Sequence, residues 1–183
     1  MKISKNTKRS LVFGGLILLA ALIGQRVAHG YIHPADPIII LAAMMLPLPH
    51  ALAAVGIASV AADLIKGFWL LAPATLIIKL LMVWVVKALL KTGPAQKHPE
   101  LISAVPLFFP VPGYYLSESI NQLIQGKGLA AFGEAAVTLQ ADLVQAAAGV
   151  LVLVFVYDLL KGIKAGRDEV RRLKEEKKEE PKE

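Results

Sequence analysis

Charge is nearly absent from the middle of this chain. The stretch from Ser10 to Tyr157 holds only seven basic and six acidic residues, whereas residues 1–9 and 158–183 hold the other 21 charges. A soluble domain carries about 25% charged residues, and so few charges cannot keep a middle region of this length in solution. The distribution predicts an integral membrane protein. It also excludes a nucleic-acid-binding domain, whose bases would cluster on one folded face.

Six apolar segments are predicted to be helices, since a bilayer-spanning helix needs about 20 mainly apolar residues. Pro47 and Pro49 divide the second segment from the third, because proline breaks a helix interior. Prolines at positions 106, 110 and 112 are expected to kink the fifth segment or to line a cavity. The predicted fold class is all-α, a membrane bundle of six transmembrane helices. The segments are about 10–28, 37–46, 50–65, 73–90, 101–124 and 139–160.

The basic residues near these segments predict the orientation of the bundle. Six spans place both termini on one side, and cytoplasmic loops carry an excess of Lys and Arg. Ten basic residues flank the spans on the side of the termini, against three on the other side: Arg26, Lys66 and Lys127. Both termini are therefore predicted to be cytoplasmic. Residues 1–165 are predicted to form the transmembrane domain and residues 166–183 a charged cytoplasmic tail.

Polar side chains inside the predicted spans are the candidates for function, because ionisable groups are costly in lipid. Lys79 lies about two turns inside the fourth helix and needs a buried partner, for which Glu118 and Asp142 are candidates. Asp36 opens the second helix. Both signs of charge and several aromatic rings fall toward the outer half, as a pocket for a polar, ring-shaped molecule requires. The predicted substrate-binding residues are Asp63, Trp69, Thr75, Lys79, Tyr114, Glu118, Asp142 and Gln145.

Each of these features also has a purely structural interpretation. Asp63 and Lys66 can form an ion pair that marks a helix end, Trp69 can belong to the aromatic belt at the headgroups, and Lys79 can hold helices together. Small residues such as Ala20 and Gly24 allow close helix contact, either within the bundle or with another membrane protein. No catalytic residue, metal site or cofactor is predicted, because the chain has no Cys and lacks metal-ligand spacing and a phosphate-binding glycine motif.

Three motifs resemble the substrate-binding S components of energy-coupling factor (ECF) transporters. The longest is the run ADLIKGFWLLAPATLIIK at 62–79, which is similar to the family's Ala-Asp-Leu, Gly-aromatic and Ala-Pro-x-Thr pattern with a following Lys. The run GYYLSE at 113–118 resembles the family's Gly-Tyr-x-x-x-Glu. Asp142 to Gln145 resembles its Asn-x-x-Gln, with Asp in place of the usual Asn. The resemblance covers roughly residues 10–165.

The resemblance implies a non-enzymatic subunit that binds a vitamin or vitamin precursor from the outer side of a prokaryotic plasma membrane. It implies partners as well, a transmembrane coupling protein and two ATPase subunits, with Ala20 and Gly24 of the first helix at the docking surface. The motifs look closest to members linked with hydroxymethylpyrimidine or pyridoxine-type rings. We expect polar side chains to bind the heterocycle, Trp69 or Tyr114 to stack on it, and loops 29–36 and 126–135 to close over it.

Other functions fit the same residues. An intramembrane enzyme could use an acidic residue and Lys79 for proton transfer. An ion-coupled carrier that works alone could use the charges as a relay, although such carriers usually contain internal repeats. A purely structural membrane scaffold would bind no small molecule.

Overall fold

The computed structural model describes residues 3–27 and 30–179. These residues form nine α-helices, one 3-10 turn at Val105–Phe108 and a short antiparallel hairpin of β1 (Gln25–Val27) and β2 (Gly30–Ile32). The helices are α1 Lys5–Ile23, α2 Ala35–Met45, α3 Leu48–Ile65, α4 Ala72–Leu89, α5 Gly93–Lys97, α6 Pro99–Ala104, α7 Pro110–Ile124, α8 Ala130–Ala136 and α9 Leu139–Glu179.

Four helical regions of the described chain are long and apolar enough to cross a bilayer. They are Lys5–Ile23, Leu48–Ile65, Ala72–Leu89 and a part of Ala130–Glu169. Helix α2 is apolar but shorter, with 11 residues. The prediction of an apolar, helical membrane chain is thus confirmed. The count of six spans stays a prediction, because α2 and the proline-rich region before Ile124 do not meet the length of a simple span.

Proline decides where several helices begin and end. Helix α2 ends at Met45 and α3 begins at Leu48, with the extended backbone of Pro47 between them. The fifth apolar segment is divided into α6, the 3-10 turn and α7, which starts at Pro110. A proline inside a helix removes one backbone hydrogen bond and clashes with the preceding turn, so each new helix starts with proline in its first turn, where both costs vanish.

Helix α2 is the central element of the bundle. It packs against α1, α3, α4 and α9, while α3 lies between α1 and α4. Ile39, Ile40, Ala42 and Ala43 of α2 are completely buried. Apolar residues on α1 and α9 point outward instead, as the exposed Leu11 shows, and such surfaces suit contact with lipid. The first residues of this short helix, from Ala35 to Pro37, are buried in the interior at one end of the bundle.

The two ends of the bundle differ in their polar contacts. At one end, Lys87 Nζ donates to the carbonyl of Leu46 at 2.6 Å and Ser10 Oγ donates to the carbonyl of His50 at 2.9 Å. The first bond satisfies a carbonyl at the C-terminal end of α2, and the second links α1 to the first turn of α3. At the opposite end, side chains bind one another around Asp36, and we call it the polar end.

Candidate ligand-binding site

A buried ion pair lies at the centre of the polar end. Lys79 Nζ of α4 donates to Asp36 Oδ1 of α2 at 2.6 Å, and the two side chains are 2% and 3% exposed. Asp36 lies in the first turn of α2, where the helix dipole stabilises a carboxylate. The prediction that Lys79 pairs with Glu118 or Asp142 is therefore wrong. Helix α2 packs against both α4 and α9, and so brings Asp36 to the lysine.

Gln145 of α9 connects this pair to the segment that precedes α2. Its Nε2 donates to Asp36 Oδ2 at 3.0 Å, and its Oε1 accepts from the backbone N–H of His33 at 2.8 Å. The His33 ring is held as well, because its Nδ1 accepts from the N–H of Ala35 at 3.3 Å. Burial lowers the pKa of His33 to about 4, so the imidazole is neutral at pH 7. One amide side chain thereby fixes α9, α2 and the His33 segment together.

An aromatic ring covers the other side of the lysine. Lys79 Nζ lies 5.5 Å from the centroid of the Tyr114 ring, within the range of a cation–π interaction. The hydroxyl of Tyr114 lies 3.3 Å from Thr75 Oγ1, one turn before Lys79 on α4. Asp63, near the end of α3, lies within electrostatic range of Lys79. Residues of α4 and α7 are thus joined to the ion pair of α2.

Two carboxylates beside this cluster each have one oxygen without a hydrogen-bond partner among the described residues. Asp142 is 8% exposed, and its Oδ2 has no hydrogen-bond partner among the described residues. The buried Oδ2 of Asp63 likewise lacks a partner in the described part of the chain. Lys79 and Asp36 both lie within electrostatic range of Asp142. Buried polar atoms almost always have a partner, so these two oxygens call for an explanation.

The helix spacing arranges these side chains in two layers. Asp142 precedes Gln145 by three residues on α9, and Thr75 precedes Lys79 by four on α4, so each lies about one turn nearer the end of the bundle. We call Asp36, Lys79 and Gln145 the deep layer, and Asp63, Thr75 and Asp142 the upper layer. The deep layer is linked by hydrogen bonds throughout, whereas the upper layer holds the unpaired oxygens.

The remaining predicted residues lie nearer the surface. Glu118 of α7 accepts from Gln122 Nε2 of the same helix at 3.0 Å, one turn beyond Tyr114. Trp69, between α3 and α4, is 72% exposed. The structure therefore connects Thr75, Lys79, Tyr114 and Gln145, places Asp63 and Asp142 beside them, and leaves Glu118 and Trp69 outside the connected set.

A close contact between α4 and α7 sets the position of the Tyr114 ring. A Cβ atom added to Gly113 would lie 2.5 Å from Ile78 Cδ1, which is far inside van der Waals contact. Ile78 precedes Lys79 and Gly113 precedes Tyr114, so the two helices approach closely where lysine and tyrosine meet, and a side chain at position 113 would have to displace that of Ile78.

A second surface feature is an open groove of about 510 Å³ between α1 and α3. Its lining is almost entirely apolar and includes the small residues Gly14, Gly15, Ala53, Ala54, Ala58 and Ala61. Ala20 is buried within the chain and Gly24 is partly buried at the end of α1. The docking role of these last two residues stays a prediction.

Comparison with known families indicates which class of protein carries this polar end. A family model described as "ECF-type riboflavin transporter, S component" matches residues 10–165. The chain belongs to this family. No curated protein and no solved structure matches it. Members of the family are transporter subunits that bind a vitamin-like substrate and work with a membrane module of ATPases. This S component is therefore not an enzyme, and the prediction of a membrane-bound S component is confirmed.

Two residues of the S component's polar cluster are absent from the predicted binding set. Asp36 is a charged residue between Ala35 and Pro37 at the start of an uncharged helix, which marks it as unusual. His33 had no such signal, because its contribution includes a backbone N–H that any residue could supply. The sequence could have indicated Asp36 as a candidate, but not its pairing with Lys79.

Proposed function

We propose that this S component binds a small vitamin or vitamin precursor at the polar end, from the outer face of a prokaryotic plasma membrane. It then delivers the ligand for ATP-driven uptake by a partner module. The observation that carries the proposal is the buried carboxylate of Asp142, unpaired beside the Asp36–Lys79 pair in an otherwise apolar bundle. Such groups are costly inside a membrane and are kept where they serve a ligand or ion.

The proposed topology has six spans with both termini cytoplasmic, which places the polar end outward. In this arrangement α2 and the α6–α7 region are the two shorter crossings, and the transmembrane domain comprises residues 1–165. Residues 166–183 form the cytoplasmic tail. The loops 29–36 and 126–135 lie at the polar end and would cover the bound ligand. Residue 29 is outside the described residues.

The proposed site consists of the eight predicted residues together with Asp36. Tyr114 lies beside the connected cluster and offers a ring for stacking, while the upper layer offers carboxylate and hydroxyl groups. Glu118 and Trp69 belong to the approach from the surface, where the loops close. The deep layer holds the helices in register beneath the ligand.

The proposed ligand is an aromatic nitrogen heterocycle with hydroxyl or amino groups. The sequence motifs favour a hydroxymethylpyrimidine or pyridoxine-type ring, whereas the family's description names riboflavin. All three molecules present a flat ring and several hydrogen-bond donors, which suits a tyrosine ring beside unpaired acceptors.

Binding by the purified protein tests this proposal. Riboflavin, pyridoxine and hydroxymethylpyrimidine would each be titrated by calorimetry in mild detergent, and native mass spectrometry would identify co-purified molecules. We expect one of them to bind. Asp142→Ala should weaken binding at least about tenfold, the scale of one lost charge-assisted hydrogen bond, and Lys79→Ala should weaken it because the helices beneath the ligand lose their register. Lys161→Ala and Asp158→Ala change exposed residues on α9 and are the matched controls. Unchanged affinity in both Ala variants of the site would show that the site is assigned wrongly.

The proposed partners are a transmembrane coupling protein and two ATPase subunits. Ala20 and Gly24 were predicted to dock the coupling protein, and the groove between α1 and α3 offers an exposed, small-residue surface on the same helix. Gly15→Leu would fill this groove, since nothing lies within 4 Å of a Cβ at that position. Ala148→Leu on the exposed side of α9 is the control. We expect only Gly15→Leu to reduce co-purification with the coupling module, while ligand binding stays intact.

Uptake into liposomes separates this function from a carrier that works alone. Liposomes that contain only this chain should not accumulate the ligand, and ATP-dependent uptake should appear when the coupling module is added. Accumulation by the chain alone, driven by an ion gradient, would support the carrier instead.

A further inference from the structure

The only cation of the deep layer is already neutralised. Lys79 is fully buried, donates to Asp36 at 2.6 Å and faces the Tyr114 ring. Asp36 receives a second hydrogen bond from Gln145. An ammonium group with a buried counter-ion has little charge left to attract an anion. Lys79 is thus poorly suited to hold a phosphate group of a ligand.

The upper layer offers acceptors that lack donors. Asp142 is more than nine-tenths buried, and its Oδ2 has no partner among the described residues. It projects from the same face of α9 as Gln145, which contacts Asp36, so it points toward the cluster. Asp63 Oδ2 is buried and unpartnered in the described chain as well. A carboxylate can only accept hydrogen bonds, so a ligand that satisfies these oxygens must donate.

The charges around the site add to the same preference. Asp36, Asp63 and Asp142 are three carboxylates, and the ammonium groups within range of them are Lys79 and Lys66. Lys66 also donates to the backbone carbonyl of Ala21. His33 adds no charge at pH 7, because burial lowers its pKa to about 4. The described site therefore carries a net negative charge.

We infer that Asp142, supported by Asp63, makes this site selective for a neutral or positively charged ligand that donates hydrogen bonds, and that the site rejects the phosphorylated form of the same molecule. The inference rests on the function proposed above and names the substrate class of that site. A phosphate monoester brings about two negative charges at neutral pH, and the two ammonium groups within range already face three carboxylates. The repulsion is strengthened because Asp36 and Asp142 are buried.

Paired titrations test this inference. Riboflavin, pyridoxine and hydroxymethylpyrimidine would be compared with their monophosphates on the wild-type S component. We expect the unphosphorylated molecule to bind at least about tenfold more tightly than its phosphate. Asp142→Asn replaces the unpaired acceptor by an N–H₂ donor and removes one charge. It should weaken binding of the unphosphorylated molecule about tenfold and reduce the discrimination against the phosphate.

Two further variants keep the test decisive. Asp63→Asn alters the other upper-layer carboxylate and should reduce the discrimination in the same direction, even if Asp142→Asn fails to fold. Asp158→Asn changes an exposed carboxylate on the same helix and should leave both affinities unchanged. Size-exclusion profiles and melting temperatures would show that each variant is folded.

The outcomes separate this inference from the proposed function. If the parent vitamin binds and Lys79→Ala weakens it, but its phosphate binds equally well, the charge selectivity is wrong and the function stands. The same holds if Asp142→Asn and Asp63→Asn both leave the discrimination unchanged. If the wild-type protein binds none of the three vitamins, the proposed ligand class fails and the selectivity fails with it.

Discussion

Lys79 on α4 and Asp36 on α2 form an ion pair of 2.6 Å whose side chains are almost completely buried. The second oxygen of Asp36 accepts from Gln145 of α9. One carboxylate thus joins three helices of the S component at its polar end. Because the pair is shielded from water, removing either partner leaves an uncompensated charge, whereas removing both does not.

Single replacements of this pair should be more harmful than a double replacement. We expect Asp36→Ala or Lys79→Ala to lower the free energy of unfolding by about 3–5 kcal/mol, the cost of leaving one buried charge unpaired. The double variant Asp36→Ala/Lys79→Ala should lose clearly less than the sum of the two single losses. Thermal unfolding in one detergent measures all three. Additive losses would show that the two residues do not interact energetically.

The close contact at Gly113 gives a second prediction. Gly113→Ala places a Cβ within 2.5 Å of Ile78, so we expect α4 and α7 to separate and both stability and ligand affinity to fall. In the double variant Gly113→Ala/Ile78→Ala, the Ile78 atoms that would clash are absent. Its loss of stability should therefore be smaller than the sum of the losses in the two single variants. Gly162→Ala on α9, where a Cβ meets nothing within 4 Å, is the control. Binding titrations and melting temperatures check these changes.

Gln145 should control the order of the segment before α2. Gln145→Glu replaces the donor that faces Asp36 by a second carboxylate oxygen, and the resulting repulsion should release the His33 backbone from the Gln145 side chain. Hydrogen–deuterium exchange of a peptide that spans residues 30–35 should become faster. The same change at the exposed Gln140 leaves the network intact and should have no effect. Unaltered exchange in Gln145→Glu would mean that other contacts hold this segment.

His33 should make stability fall in mild acid. Its pKa is about 4 in the folded protein against 6.5 in the unfolded chain, so the folded state binds the proton more weakly. The stabilisation is present above about pH 6.5 and is lost as the pH falls toward 4, by at most about 2 kcal/mol at pH 5. Melting temperatures at pH 7 and pH 5 measure it. His33→Asn should reduce the difference, whereas the same change at the exposed His98 should preserve it.

Helix boundaries could be predicted closely wherever proline marks them. The third and fourth segments were expected at 50–65 and 73–90, and the structure has Leu48–Ile65 and Ala72–Leu89. Their ends depend on local backbone chemistry that each short stretch carries in itself. The fifth segment was expected as one kinked helix from 101 to 124. Three prolines within seven residues divide it into separate pieces.

The sequence predicts which polar residues share a helix face, but it predicts neither the part of Asp36 nor the connections between helices. Thr75 and Lys79 share one face of α4 by spacing alone, and Asp142 and Gln145 share one face of α9. Trp69 has an aromatic ring that is able to stack on a ligand, but the structure places this residue at the surface, where it is exposed. Periodicity states which residues share a helix face. It does not state which helices that face will meet.

The sequence by itself determined that this protein is a helical membrane protein, because a middle region with only 13 charged residues is too apolar to stay in solution. It also determined that Lys79 needs a buried partner, since an ammonium group two turns inside an apolar helix cannot remain alone. Only the tertiary structure decided that the partner is Asp36. That choice depends on α2 packing between α4 and α9, an arrangement set by contacts between residues more than 40 positions apart, as the Lys79–Asp36 and Gln145–Asp36 bonds show.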